Sequence, residues 1–462
     1  MTSPSSSAHD HLTVDERREL GREARKRVPR SSHADWSPPP DRADPVDVLT
    51  AQDATRLQSL VPIRHGRMSV SPFTFYRGAA AIMAGDLAST SASGIDAQLC
   101  GDAHLSNYGA FASAERNLVF DVNDFDETLP GPWEWDVKRL ATSFALAGRS
   151  NGFKREQTAD AVTKSVASYR TAMAEFAQRA TLDVWYAELS VDRLEAAITK
   201  KSDRKRVSKS AAKARSKTSL KAMAKLTERA DGVLRIASSP PLIVPLRDLA
   251  GENADELDHQ VRHSWELYRE SISDDLHMLL GRYRLVDIAV KVVGVGSVGT
   301  RCMLVLLAGR DDDDPLFLQI KEAETSVLEA RLGPSNYDSP GERVVRGQRL
   351  IQASGDIFLG WSSSQAGHHY YWRQFHDMKG SAEVETMSAR RLGLYATVCG
   401  WTLAHAHARS SDPIAISGYL GKGSSFDRAV THFAFTYADQ NDLDFASMRS
   451  AIDDGRITAT PG

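Results

Sequence analysis

From residue 100 to residue 126 the chain reads CGDAHLSNYGAFASAERNLVFDVNDFD. Asp102 is followed five positions later by Asn107, and the apolar run Leu118-Val119-Phe120 then leads into Asp124-Phe125-Asp126. A loop carrying an Asp and an Asn, ahead of a strand that delivers a second Asp, suits phosphoryl transfer from a nucleotide. One carboxylate accepts or orients the acceptor hydroxyl, while the amide oxygen and the second carboxylate hold Mg²⁺ against the phosphates. The purely structural reading of the same residues is a pair of Asx turns at Asp102 and Asn107 and a helix cap at Asp124.

A second cluster is Gly294-Val295-Gly296-Ser297-Val298-Gly299, with Lys321 downstream in LQIK. In a dinucleotide-binding fold such glycines open a helix, but the following TRCMLVLL reads as a returning strand. The context therefore selects a hairpin. A Gly-rich hairpin followed by a strand ending in Lys matches the nucleotide-covering loop and the phosphate-pairing lysine of the protein-kinase signature set.

Around these clusters, short apolar or β-branched runs at 286–293, 300–308 and 316–320 read as three consecutive antiparallel strands. A helix at 342–353 and strands at 356–361 and 369–375 complete a five-stranded sheet, with long helices expected at 388–409 and from about 426. Residues 1–45, ending in Ser37-Pro38-Pro39-Pro40, read as a flexible arm containing a short helix capped at Thr13 and Glu16. The expected units are that arm, a helical lobe at 46–182 with the Asp102 and Asp124 loops, a helical insertion at 183–280, the nucleotide-binding sheet lobe at 281–380, and closing helices at 381–462. The fold class is α+β.

Composition fits this reading. The 462 residues are 42% apolar and 25% charged, which excludes a disordered or disulfide-stapled chain. Cys100, Cys302 and Cys399 are widely spaced, which suggests neither zinc nor a redox dithiol. No apolar stretch reaches membrane-spanning length, and the charged N-terminus lacks a signal-peptide core, so a cytoplasmic protein is expected. The net charge of −3 hides a basic block at 200–229, where 12 Lys or Arg face only Asp203 and Glu228. A solvated helix face explains that block, with polyanion binding as the alternative.

The segments CGDAHLSNYG and VNDFDETLPGPWEWDVKRLA resemble the catalytic and metal-binding segments of aminoglycoside phosphotransferase-like and choline-kinase-like enzymes. From about residue 45 the chain resembles the bacterial domain of unknown function 2252 family, which is similar to the protein-kinase-like superfamily. The resemblance implies a two-lobed kinase-like fold that binds ATP and Mg²⁺. It makes Asp102 the catalytic base, Asn107 and Asp124 the metal ligands, and Asp136 a support for the catalytic loop; counting back from WEWD favours Asp124 over Asp121. Gly294, Gly296, Ser297 and Gly299 would cover the phosphates and Lys321 would pair with them. Glu329 is preferred over Glu342 as the lysine's partner. Cys100 stands where such kinases carry His.

The motif order is inverted, since Asp102 precedes Gly294 by 192 positions. The run LGLYATVCGWTLAHAHA resembles the helix that normally leads into the catalytic loop, and a circular permutation cut between the two accounts for the order. No long activation segment or A-P-E follows Asp126, which favours a small-molecule or atypical acceptor over a protein. His405 and His407, two apart on a helix, read as packing or surface residues rather than a metal pair. Asp311 to Asp314 reads as a solvated turn, and Arg64, Arg67 and Arg77 as structural unless the arm folds over the cleft. The alternative function is a non-catalytic module of the same fold that holds nucleic acid or another polyanion through 200–229.

Overall fold

The computed structural model describes residues 12–248, 253–292, 294–375 and 378–461. The architecture is mixed α+β, with an antiparallel sheet seated on a helical body. The sheet has six strands in the order Gly360–Ser363, His369–Gln374, Pro315–Ala323, Cys302–Ala308, Arg284–Lys291, Ile243–Pro245. Every neighbouring pair is antiparallel. Its central strands CMLVLLA and PLFLQIKEA are buried at every position, because both faces are covered. On one face Met303, Val305, Leu318, Ile320 and Trp372 pack under helix Asn253–Glu270, whose Tyr268 ring stacks on Trp372 at 4.6 Å. On the other, Leu304, Leu306 and Phe317 pack under helix Ser219–Leu226 and the hairpin Thr227–Ala230/Val233–Ile236. A sheet buried on both sides shows continuous apolar runs in place of alternation, so its strands stand out in the sequence.

Four of the five expected strands are present near their expected bounds, and the one expected at 356–361 is displaced to Gly360–Ser363 because 356–359 forms a turn. The sixth, Ile243–Pro245, comes from the segment read as a helical insertion, which also holds the 227–236 hairpin. Three residues beside a Pro-Pro pair carry too little pattern to announce a strand. The expected helix at 342–353 runs Pro340–Ile351, with Ser339 capping the Glu342 amide.

Four helices build the body: Trp133–Ser150, Arg155–Phe176, Ala389–Ser410 and Ser425–Asp453. Trp133 stacks on Tyr169 with ring centroids 5.4 Å apart, and at Gly400 a Cβ would run into the Ser165 carbonyl. The reading of 1–45 as a flexible arm is corrected over its described residues. Helix Val14–Arg27 lies against Pro413–Leu420, where a Cβ at Gly418 would fall 2.5 Å from the Arg18 carbonyl oxygen. Arg17 grips Asp412 with two 2.8 Å hydrogen bonds. The close approach of two backbones through glycine is what docks the arm. Among the described residues no helix is long and apolar enough to cross a membrane.

Candidate functional site

The loop after strand Asp96–Leu99 is held from below by Asp136, in the first turn of helix Trp133–Ser150. The Asp136 carboxylate accepts the backbone amides of Cys100 at 2.8 Å and Gly101 at 3.1 Å, and the Cys100 thiol at 3.2 Å. His407 reaches the same carboxylate at 3.4 Å through Nε2 while its Nδ1 meets the Tyr169 hydroxyl at 2.9 Å. The loop is thus anchored from two helices, by Asp136 on Trp133–Ser150 and by His407 on Ala389–Ser410. His405 and His407 are both buried, as packing residues. Gly101 has φ +82° and sits against the Glu127 carbonyl, so no side chain fits there.

Asp102 follows directly. Its Oδ1 accepts Arg139 Nε at 2.5 Å, and its carbonyl accepts the Asn107 side-chain amide at 2.7 Å, closing the D-x-x-x-x-N loop on itself. His104 Nε2 lies 3.6 Å from Asp102 Oδ2, and burial pushes the His104 pKa down to about 4. It is therefore neutral near pH 7. The hairpin Tyr108–Ala112/Leu118–Val122 pairs Tyr108 with Val122, and the Asn123 amide donates to the Asn107 carbonyl at 2.8 Å. That register sets Asn107 beside the start of Asp124-Phe125-Asp126. Asp121 is in the strand, buried and outside the cavity, with its Oδ1 on the Val122 amide.

Lys321, on the sheet, meets this hairpin end. Its Nζ is 2.6 Å from Asp126 Oδ2 and 3.8 Å from Asp124 Oδ1. The two stretches placed 195 residues apart by the chain are in direct contact. Tyr371, paired across the sheet with Lys321, donates its hydroxyl to Asp126 Oδ1 at 2.6 Å. Both Asp126 oxygens are therefore occupied. Burial alone would raise the Asp126 carboxyl, but Lys321 and Tyr371 hold it below the usual carboxylate range. Asp124 goes the other way: burial and the neighbouring Asp126 raise it, against the pull of Lys321 and Arg373. Burial would lower the Lys321 ammonium, but the two carboxylates raise it well above its ordinary value.

The turn 294–299 joins strands Arg284–Lys291 and Cys302–Ala308, as expected for a hairpin, and Gly294 and Gly299 have φ of +73° and +94°. It is fastened from the N-terminal helices. Arg67 donates to the Gly294 carbonyl at 2.6 Å, Arg56 to the Val298 carbonyl at 2.7 Å, and the Leu57 amide to the Gly299 carbonyl at 2.8 Å. Ser297 Oγ lies 3.4 Å from Asp126 Oδ2. Below the turn opens a cavity of about 1300 Å³ lined by Gly294, Gly296, Ser297, Asp102, Asn107 and Asp124, among others.

The lysine's partner differs from expectation. Glu329 caps its own loop, accepting the amides of Ser326 and Ser335 at 3.0 Å each, and lies 3.7 Å from Arg343 Nε. Glu342 pairs with Arg346. Lys321 spends its charge on Asp126, leaving Glu329 to a different cation. Arg343, from helix Pro340–Ile351, ties the segment after strand Pro315–Ala323 to the Asp126 loop by donating to the carbonyls of Thr128 at 2.7 Å and of Asp126 and Glu324 at 2.8 Å. Asp126, Tyr371, Arg343 and His407 are the residues that sequence reasoning left without a role here. Only Asp126 carried a local signal, as the second carboxylate of DFD. None of 200–229 lines the cavity; its Lys213 and Arg215 pair with Glu383 and Asp192.

For a metal, the chemistry of the donors is decisive. Among the described residues no three His, Cys, Asp or Glu side chains gather at metal-holding separation. Mg²⁺ asks for fewer such ligands, since it characteristically takes one or two protein carboxylates and completes its shell with water and phosphate oxygens. Asp124 Oδ1 fits that use: it is buried and has no hydrogen-bond partner.

Fold and site together define an α+β protein in which a buried sheet lysine backs the carboxylates Asp124 and Asp126, and these line one cleft under a glycine-rich turn. Residues 56–451 match the family described as uncharacterized protein conserved in bacteria (DUF2252), and the chain belongs to that family. No curated protein and no solved structure matches it.

Proposed function

We propose that this chain is an ATP- and magnesium-dependent phosphotransferase that acts on a hydroxyl of a small molecule or atypical acceptor, built on a kinase-like two-lobed fold in permuted order. The observation that carries the reading is Lys321 within 3.8 Å of Asp124, whose carboxylate lines a cavity with Asp102 and the glycine-rich turn. The permutation is supported by the end of helix Ala389–Ser410. Ser410 Oγ accepts the Gln98 amide at 3.2 Å and Ser411 Oγ donates to the Asp96 carbonyl at 2.6 Å. The helix thus ends beside the strand that opens the Asp102 loop, although 315 positions separate them.

Asp124 and Asn107 would hold Mg²⁺, whose bound charge offsets that of the phosphates. Lys321 supplies a fixed cation next to Asp124, and the turn at Gly294, Gly296, Ser297 and Gly299 offers backbone amides to phosphate oxygens. With Arg139 on one oxygen of Asp102, the other takes the acceptor's proton. The acceptor O–H bond breaks, its oxygen bonds the terminal phosphorus, and the bond to the β-phosphate oxygen breaks to release ADP. A volume of about 1300 Å³ exceeds the roughly 300–1,000 Å³ of a one-ligand cleft, which leaves space for an acceptor beside the nucleotide.

The test is transfer of label from ATP marked at the terminal or the α phosphate into a small-molecule extract. Terminal label should move with wild type and not with Asp102→Asn or Lys321→Met. Movement of α label would redefine the reaction as nucleotidyl transfer. Absence of both transfer and nucleotide binding would end the proposal.

A further inference from the structure

Helix Pro72–Gly78 brings one more cation to the cleft. The backbone around Arg77 is fixed on three sides. The Tyr76 carbonyl accepts Arg139 Nη2 at 3.0 Å, the Gly78 carbonyl accepts Arg64 Nη2 at 3.3 Å, and a Cβ at Gly296 would sit 3.1 Å from the Arg77 carbonyl oxygen. Arg77 therefore lies directly under the glycine-rich turn and lines the cavity with Asp102 and Asp124. Its neighbours are all engaged: Arg56 with Val298, Arg64 with Asp53, Arg67 with Gly294, Arg139 with Asp102. Among the described residues the Arg77 side chain has no hydrogen bond or ion pair, and its Nε is buried without an acceptor. Burial disfavours its charge, and Asp102, Glu385 and Asp124 favour it. A guanidinium stays charged and presents five donors in a planar fork that matches phosphate oxygens, so a half-buried fork that lines a cavity and has no acceptor on the protein is incomplete.

Resting on the phosphotransferase reading, we propose that Arg77 grips the terminal phosphate of ATP, opposite Lys321 and beside Asp124, and so distinguishes ATP from ADP. The group recognised is a phosphate with free equatorial oxygens. Its two sources, the nucleotide's end or a phosphate on the acceptor, differ in which ligand loses affinity when Arg77 is changed.

Calorimetric titration of the full chain with Mg-ATP and Mg-ADP separates them, using wild type, Arg77→Gln and Arg77→Lys, with thermal melts to show that each variant is folded. For Arg77→Gln we expect ATP affinity to fall roughly 10- to 100-fold, the scale of a lost charge-assisted phosphate contact, and ADP affinity to change less than about threefold. Arg77→Lys should lie between, because it keeps the charge without the fork. Equal losses for ATP and ADP, or no loss for either, would overturn the assignment while leaving the phosphotransferase reading in place. Unchanged ATP affinity with lost binding of inorganic phosphate to the ADP complex would move the contact to the acceptor, which also overturns it. A wild type that binds neither nucleotide removes the underlying reading, and the assignment with it.

Discussion

Replacing Lys321 by Met keeps the length of the side chain and removes its charge. In the folded protein Lys321 is 3% exposed and its Nζ is 2.6 Å from Asp126 and 3.8 Å from Asp124. The variant therefore leaves two neighbouring buried carboxylates without their cation, and removing one partner of a buried pair costs about 3–5 kcal/mol. The loss should depend on pH. In wild type the Asp126 pKa is depressed, so its stabilisation is present above the unfolded carboxylate value and is lost as pH falls through the lower folded value. In Lys321→Met burial is no longer offset and the carboxyl titrates higher, so the deficit is greatest at about pH 8 and shrinks toward about pH 5 as the proton replaces the missing cation. Urea unfolding at both values measures this. A double-mutant cycle adds the specificity: Lys321→Met with Asp126→Asn should show a coupling of about 2–3 kcal/mol, whereas Lys321→Met with Glu329→Gln should be additive within about 0.5 kcal/mol. Coupling to Glu329 instead of Asp126, or a deficit that does not change with pH, would refute the pairing described for this lysine.

Asp136→Ala leaves the Cys100 and Gly101 amides and His407 without their acceptor, and should cost about 3–5 kcal/mol in urea unfolding; a loss below about 1 kcal/mol would deny it the role of loop anchor. Arg343→Met strips three carbonyls of their donor and should destabilise by about 2–4 kcal/mol, more than Glu329→Gln, and the reverse ranking would contradict the assignment of Arg343 as the tie between the Asp126 loop and the sheet. Asp121, pushed up to about 7 by burial, gives stability that is complete below its unfolded value and is lost as pH rises through about 7. Asp121→Asn should therefore gain on wild type as the buffer moves from about pH 5 to about pH 8, and parallel curves would refute this.

The sheet could be read in the sequence because covering both of its faces left unbroken apolar runs such as CMLVLLA, and the Gly-rich turn marked where two of them reverse. The Asp102 loop was legible by spacing, since a hairpin five residues deep on each side returns Asp124 to Asn107 by register alone. What the sequence hid was partner choice over long distances. Glu329 is close to Lys321 along the chain, yet the strand pairing that sets Tyr371 beside Lys321 turns both toward Asp126, and that follows from register rather than proximity. Docking of the N-terminal helix depends on Gly21 and Gly418 admitting a neighbouring backbone, which leaves no periodic trace. The histidines of AHAHA were legible only as packing or surface residues, and nothing told that His407 would complete the anchor of a loop more than 300 positions earlier in the chain.

The most direct measurement is a crystal structure with Mg²⁺ and a non-hydrolysable ATP analogue. On the proposed reading Mg²⁺ is expected at about 2.0–2.1 Å from an Asp124 oxygen and the Asn107 side-chain oxygen, with Lys321 and Arg77 on the phosphates and Asp102 facing the terminal one. A nucleotide bound away from the glycine-rich turn, or a metal held without Asp124, would contradict it.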